Sequence, residues 1–297
     1  MSKFNISVKR KLVSGVFLLP AAFVSALFIA YPIFLVTKLS FQKVKMISSN
    51  TAYAPYTLAN YINIFSNPDF WDSVWLTLLF TFLGTAISFI IGMYTALLLN
   101  KKFAGRVLAR SLIMLPWPIP AIAVSIIFIW MLNANFGIVN QVLYSLKIIP
   151  ENVAWLTTVN TAFFSVVAAS VWKAYPFFTL MLLAGLQNVP LELYEASEID
   201  GANVVQQFTH ITFPALLNVS TVSFLLNGVW FFKNFDIVYG MTGGGPARST
   251  ELLSVKLYFE AFQYYKMGMA SAIGVVCLII CVLMIIALSP FLNKEFY

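Results

Sequence analysis

Two stretches of this chain place hydrogen-bonding and aromatic side chains inside long apolar runs. The first holds Ser170, Trp172, Lys173, Tyr175 and Phe177, and the second holds Asn227, Trp230, Phe231, Lys233 and Asn234. A charge at hydrocarbon depth is costly and by default faces a cavity or a partner. Aromatic faces beside amides and hydroxyls suit a sugar, which has apolar C–H faces and a rim of hydroxyl groups. Lys173 alternatively favours an anionic solute such as a sugar phosphate or a uronate. Bond-breaking chemistry is missing from the pattern. Gly-Lys followed by Ser or Thr never occurs, so there is no phosphate-cradling Walker A segment. His210 is the single histidine, which excludes histidine-based zinc motifs, and nothing resembles a Ser-His-Asp set. The expectation is a chain that is no enzyme and carries no cofactor of its own.

The elements that position these groups must be membrane helices. Of 297 residues, 60% are hydrophobic and 10% charged, whereas soluble domains carry roughly a quarter charged residues. The net charge of +7 would raise nucleic acid as a partner in a soluble protein, but the cations cluster at the ends of apolar runs. Lys3, Lys9, Arg10 and Lys11 precede the first run, and Lys101, Lys102, Arg106 and Arg110 lie between the second and third. Such placement reads as positive-inside anchoring, with lipid and not nucleic acid as the surroundings. Cys277 and Cys281 lie inside an apolar run and read as packing residues, not a disulfide.

A crossing helix needs about 20 apolar residues. Trimming the charge-free stretches gives six, at about 12–36, 74–99, 111–132, 158–186, 213–235 and 269–289. The fold class is therefore all-α and polytopic. The first run is too long for a signal-peptide core of roughly 7–15 residues, so it reads as a retained helix after a cytoplasmic N-terminus at 1–11. With that end inside, 100–110, 187–212 and the C-terminus are cytoplasmic. Tyr31, Trp71, Trp75, Trp130 and Trp155 suit interfacial belts. Pro116, Pro118 and Pro120 crowd the start of the third span and Pro176 lies inside the fourth, where each removes a backbone donor.

The loop at 187–212 has no Lys or Arg; its charges are Glu192, Glu195, Glu198 and Asp200. Amphipathic hairpins lying on a bilayer are normally basic, so this one reads as facing a protein. Pro190 suits a first helical turn, Gly201 suits a C-terminal cap, and Asn203 with Gln206 resembles a capping box that restarts a helix at Val204.

Glu195-Ala196-Ser197, then Gly201, then Ile211-Thr212-Phe213-Pro214 resembles the EAA loop of binding-protein-dependent ABC importer permeases. The spacing matches, with Ser197 for the second Ala and Phe213 for the usual Leu. Phe235-Asp236, Thr242-Gly243-Gly244-Gly245-Pro246, Tyr258 and Ala261-Phe262, with Phe136-Gly137 and Asn140 earlier, resemble the sugar-transporting branch typified by maltose importers. The resemblance implies a type I importer permease fold at 72–290 in a bacterial plasma membrane. It also implies a second permease chain, two ATPase chains that hold ATP and Mg, and an external solute-binding protein. Glu195, Ala196, Ser197, Asp200, Gly201 and Ala202 are the implied coupling residues. Ser170, Lys173, Ala174, Phe177, Asn227, Trp230 and Phe231 occupy the implied sugar-contacting positions.

Overall fold

In a computed structural model, the structure describes residue 17, residues 19–45 and residues 54–291. The N-terminal segment 1–11, its cations, the start of the first span at 12 and the C-terminus beyond 291 lie outside the described residues.

Among the described residues the secondary structure is helical apart from one antiparallel bridge, Gln42 to Tyr56. The first helix, α1, is Leu19–Ser40, followed by α2 (Ala59–Ser66) and α3 (Pro68–Asn100). Next come α4 (Arg106–Met114), α5 (Ala121–Met131), α6 (Ile138–Ser145) and α7 (Val159–Leu186). The helical hairpin expected from the sequence is α8 (Leu191–Ile199) and α9 (Val204–Gln207). Beyond it lie α10 (Phe213–Phe232), α11 (Asp236–Thr242), α12 (Leu253–Tyr258) and α13 (Met267–Leu288).

Five stretches are long and apolar enough to cross a bilayer: α1, α3, α7, the run Val204–Thr242 that contains α9 to α11, and α13. The third expected span, 111–132, is instead divided into α4 and α5. Pro116, Pro118 and Pro120 cannot donate to the preceding turn, so the ladder stops at Met114 and restarts with Val124 N–H on Pro120 O at 3.1 Å. The helix that restarts at Val204 runs on without interruption into the fifth span. Pro214 lacks the N–H for a regular turn, and a wide turn at Phe208–Thr212 carries the chain past it, with Phe213 N–H reaching Phe208 O. The fifth span then breaks at Lys233–Phe235, between α10 and α11.

The chain forms two units. One takes in the described residues up to Asn67 together with Leu257–Cys277. Its hydrogen bonds gather on Asn60, whose Nδ2 donates to Ser40 O (2.8 Å) and Gln42 O (2.9 Å). The other unit, Pro68–Lys256 with the residues from Leu278 on, holds α3, α7 and α10 packed together. In α3 the small and polar residues point inward. Ser73, Thr77, Thr81, Gly84, Thr85, Ser88, Gly92 and Ala96 are buried, while Trp75, Phe82, Ile90 and Tyr94 are exposed. That is the membrane arrangement, in which small residues let helix backbones approach and large apolar ones meet lipid. Thr95 and Thr179 hydroxyls meet at 2.6 Å between α3 and α7.

Asn140 organises the loop around α6. Its Nδ2 donates to Ala134 O (3.2 Å) and Val153 O (3.0 Å), and its Oδ1 accepts from Val153 N–H and Trp155 Nε1. Trp155, expected in an interfacial belt, is half-buried and pinned by this bond, whereas Tyr31, Trp71, Trp75 and Trp130 are exposed. Asn140→Leu strands several polar groups at once, and each buried orphan costs about 1–3 kcal/mol. Thermal unfolding of the purified protein should show a loss of about 3 kcal/mol.

Candidate functional site

Phe177 and Asn227 stand fifty residues apart in the chain, yet the two polar stretches meet on one cavity. All seven residues expected to contact solute line a space of about 280 Å³ between α7, α10, α11 and the break before α5. Ser170, Lys173, Ala174 and Phe177 come from α7, one turn or less apart, so they share a face. Asn227, Trp230 and Phe231 come from the last turns of α10. Trp117, Ala121, Lys233, Asn234, Phe235, Asp236 and Ile237 complete the lining. Of these, Ile237 escaped the sequence reading, as did Trp117 and Ala121. The signal that could have found the last two is the proline cluster beside them.

Aromatic rings form one wall. Phe177 meets Trp230 edge to face at 4.9 Å and Trp117 at 6.2 Å. Phe231 contributes only an edge, since its ring packs on Phe80 at 5.5 Å and over Gly84 of α3. Ser170 is held by Asn234 Nδ2 at 3.2 Å, which ties α7 to the end of α10. Asn227 is fully buried, and among the described residues neither of its amide atoms has a hydrogen-bond partner. Lys173 Nζ donates to Trp117 O at 2.9 Å and also to Ile119 O, both in the proline break.

The hairpin at the other end is built from local bonds. Gly201 takes φ +77°, with its N–H on Glu198 O (3.1 Å) and Ala202 N–H on Ser197 O (2.9 Å). This paired closure of a helix C-terminus suits glycine, which has no Cβ to clash in the left-handed region. Asn203 and Gln206 form the reciprocal capping box expected from the sequence. Ser197, where the family pattern has alanine, accepts from Gln207 Nε2 at 3.0 Å and so braces α8 to α9. Tyr194 OH lies 2.9 Å from Thr212 Oγ1 and adds a second brace. Glu195, Ala196, Asp200 and Gly201 are exposed and Ala202 is half-buried, while Leu191, Ile199, Val204 and Val205 present apolar surface.

A third feature is an ion cluster. Arg248 pairs with Asp69 and with Glu251 (2.9 Å), and Glu251 is shared with the buried Lys256 at 3.0 Å. Burial works against the Arg248 charge, but hydrogen bonds to Asp69 and Glu251 outweigh it and hold the guanidinium above its ordinary pKa. The two left-handed glycines Gly243 (φ +59°) and Gly244 (φ +89°) turn the chain so that Arg248 follows.

Residues 84–294 match the family model described as binding-protein-dependent transport system inner membrane component. The chain belongs to that family. Among inner membrane components of this family, the trehalose/maltose transport system permease protein MalF of Thermococcus litoralis is 39% identical over 226 residues, 75% of each chain. The sulfoquinovosyl glycerol transport system permease protein SmoG of Agrobacterium fabrum is 34% identical over 266 residues, covering 90% of this chain and 85% of the relative. A chain of a bacterial ABC transporter involved in importing the acidic polysaccharide alginate superposes with a TM-score of 0.83 at 18% identity, over 100% of both chains. The fold is that of type I ABC importer permeases, and the hairpin α8–α9 carries the segment that resembles the family's EAA loop.

Proposed function

We propose that this chain is one of two permease subunits of an ATP-driven importer that moves a carbohydrate from an external solute-binding protein into the cytoplasm. One observation carries the reading: an aromatic wall, a buried amide with no partner among the described residues and a serine hydroxyl converge on one cavity at the breaks in the third and fifth spans. Rings cover the C–H face of a sugar, and Asn227 offers both a donor and an acceptor to its hydroxyls. At about 280 Å³ the cavity falls just under the roughly 300–1,000 Å³ of small-molecule sites. A second permease chain supplies the facing wall. Relatives named for trehalose/maltose and sulfoquinovosyl glycerol support a sugar cargo.

In this reading both termini are cytoplasmic, and α8–α9 faces a pair of ATPase chains that hold ATP and Mg. Glu195 and the apolar residues Leu191, Ile199, Val204 and Val205 make the contact. Asp200, Gly201 and Ala202 set the turn, Ser197 and Ala196 its packing. Closure of the ATPase pair pushes the hairpin, and rigid-body motion of the spans exposes the cavity to alternate sides.

The test is uptake into liposomes that hold the permease pair and its ATPase, with the binding protein outside and radiolabelled maltose and trehalose as first probes. Accumulation should require ATP inside. Gly201→Val puts a β-branched residue at φ +77°, at a cost of about 1–2 kcal/mol or more. It should cut ATP-driven uptake about tenfold and loosen ATPase co-purification. Gly201→Asn, tolerated in the left-handed region, should keep both. Uptake without ATP or partner chains, or a Gly201→Val variant with normal coupling, would overturn the proposal.

A further inference from the structure

Lys173 is the one cation among the seven positions implied to contact solute, and the structure gives it other work. Its ammonium reaches across from α7 to two carbonyls, Trp117 O and Ile119 O, 56 and 54 residues earlier in the chain. Both belong to Leu115–Pro120, where proline at alternate positions interrupts the helical ladder between α4 and α5. Carbonyls freed at a proline break within a membrane span need a donor, which a neighbouring helix or cavity water supplies. Proline cannot be that donor, and the α5 ladder begins later, at Val124 N–H on Pro120 O. An ammonium has three N–H donors, and two of the three in Lys173 are committed here. The same break carries Trp117, which packs on Phe177 at 6.2 Å, and leads into Ala121. The position of one cavity wall therefore follows from where Lys173 holds it.

We propose that Lys173 is a positioning residue, a latch that holds the proline break of the third span against α7 and so sets the shape of the cavity, and not a counter-ion for an anionic cargo. The inference rests on the transport-cavity reading, yet it is testable without the cargo. A counter-ion binds solute and leaves the break where it is. A latch, when removed, lets the break move whether or not solute is present.

The experiment follows the reaction of a small methanethiosulfonate with Ala121→Cys, in the assembled transporter with Cys277 and Cys281 replaced by alanine. Lys173→Met should raise the labelling rate about tenfold, while Lys173→Arg, which keeps donors and reach, should stay within about twofold of the parent. Lys173→Ala leaves room for water at both carbonyls and serves where methionine blocks assembly; the same rise is expected. Parental labelling rates in Lys173→Met and Lys173→Ala would overturn the latch, whatever happens to uptake. Normal uptake after substitution of Asn227 would instead remove the cavity as the solute site and leave the labelling result standing.

Discussion

Replacing Asn227 with leucine is expected to cut transport about 100-fold while making the permease more stable. The side chain is fully buried, and neither its Oδ1 nor its Nδ2 has a partner among the described residues. Burying such a group costs about 1–3 kcal/mol, and an apolar group of the same shape removes that cost. Leucine is nearly isosteric, so thermal unfolding should move upward. Transport should move the other way. A buried amide at a cavity wall with no protein partner is ready to pair with a hydroxyl, and losing two such bonds is worth about 100-fold. The measurement is a pair: unfolding temperature in detergent, and initial uptake rate in liposomes. A variant less stable than the parent would make Asn227 a packing residue. A more stable variant with normal uptake would take it out of the solute path.

Legibility from sequence followed the distance over which each feature is made. The hairpin was readable because its determinants are local. Asn203 and Gln206 stand three apart, Gly201 follows the helix it caps, and each does what its spacing suggests. Span positions were readable from the length of the apolar runs, within a few residues for α7 and α13. The seven solute positions came from family resemblance, and their meeting on one cavity required the packing of α7 on α10. Composition could not reveal that Lys173 bonds to a segment more than fifty residues away, since side-chain type does not encode a tertiary partner. The prolines announced a break, but not that its carbonyls would be answered by the cation read as a solute ligand. In the same way Trp155 looked like a belt residue until Asn140 claimed its indole N–H.

Gly92→Leu is expected to prevent the fold, with little or no assembled permease recovered from membranes. Gly92 lies on α3 where it crosses α7, and a Cβ there would run into Phe178 and come within 3.1 Å of Thr179 N and 3.2 Å of Phe178 C. The obstacle includes backbone, so no rotamer change clears it. Around the crossing sit Met93, Ala96, Leu99, Phe178, Leu182 and Leu186, a buried cluster that fills the cytoplasmic end of the α3–α7 pair in the proposed orientation. In lipid no hydrophobic effect pulls helices together, so close approach and its dispersion contacts do that work. Overpacking typically costs about 1–3 kcal/mol and more where a backbone blocks relief. Gly92→Ala tests the same point on a graded scale and should lower the unfolding temperature while leaving some protein folded. By contrast Gly105, with open space around its Cβ position, has no neighbour to meet, and its limit is the left-handed backbone alone. If Gly92→Leu assembled at parental yield with parental unfolding temperature, the α3–α7 contact would not be the one that holds α7, and with it Lys173 and Phe177, in place.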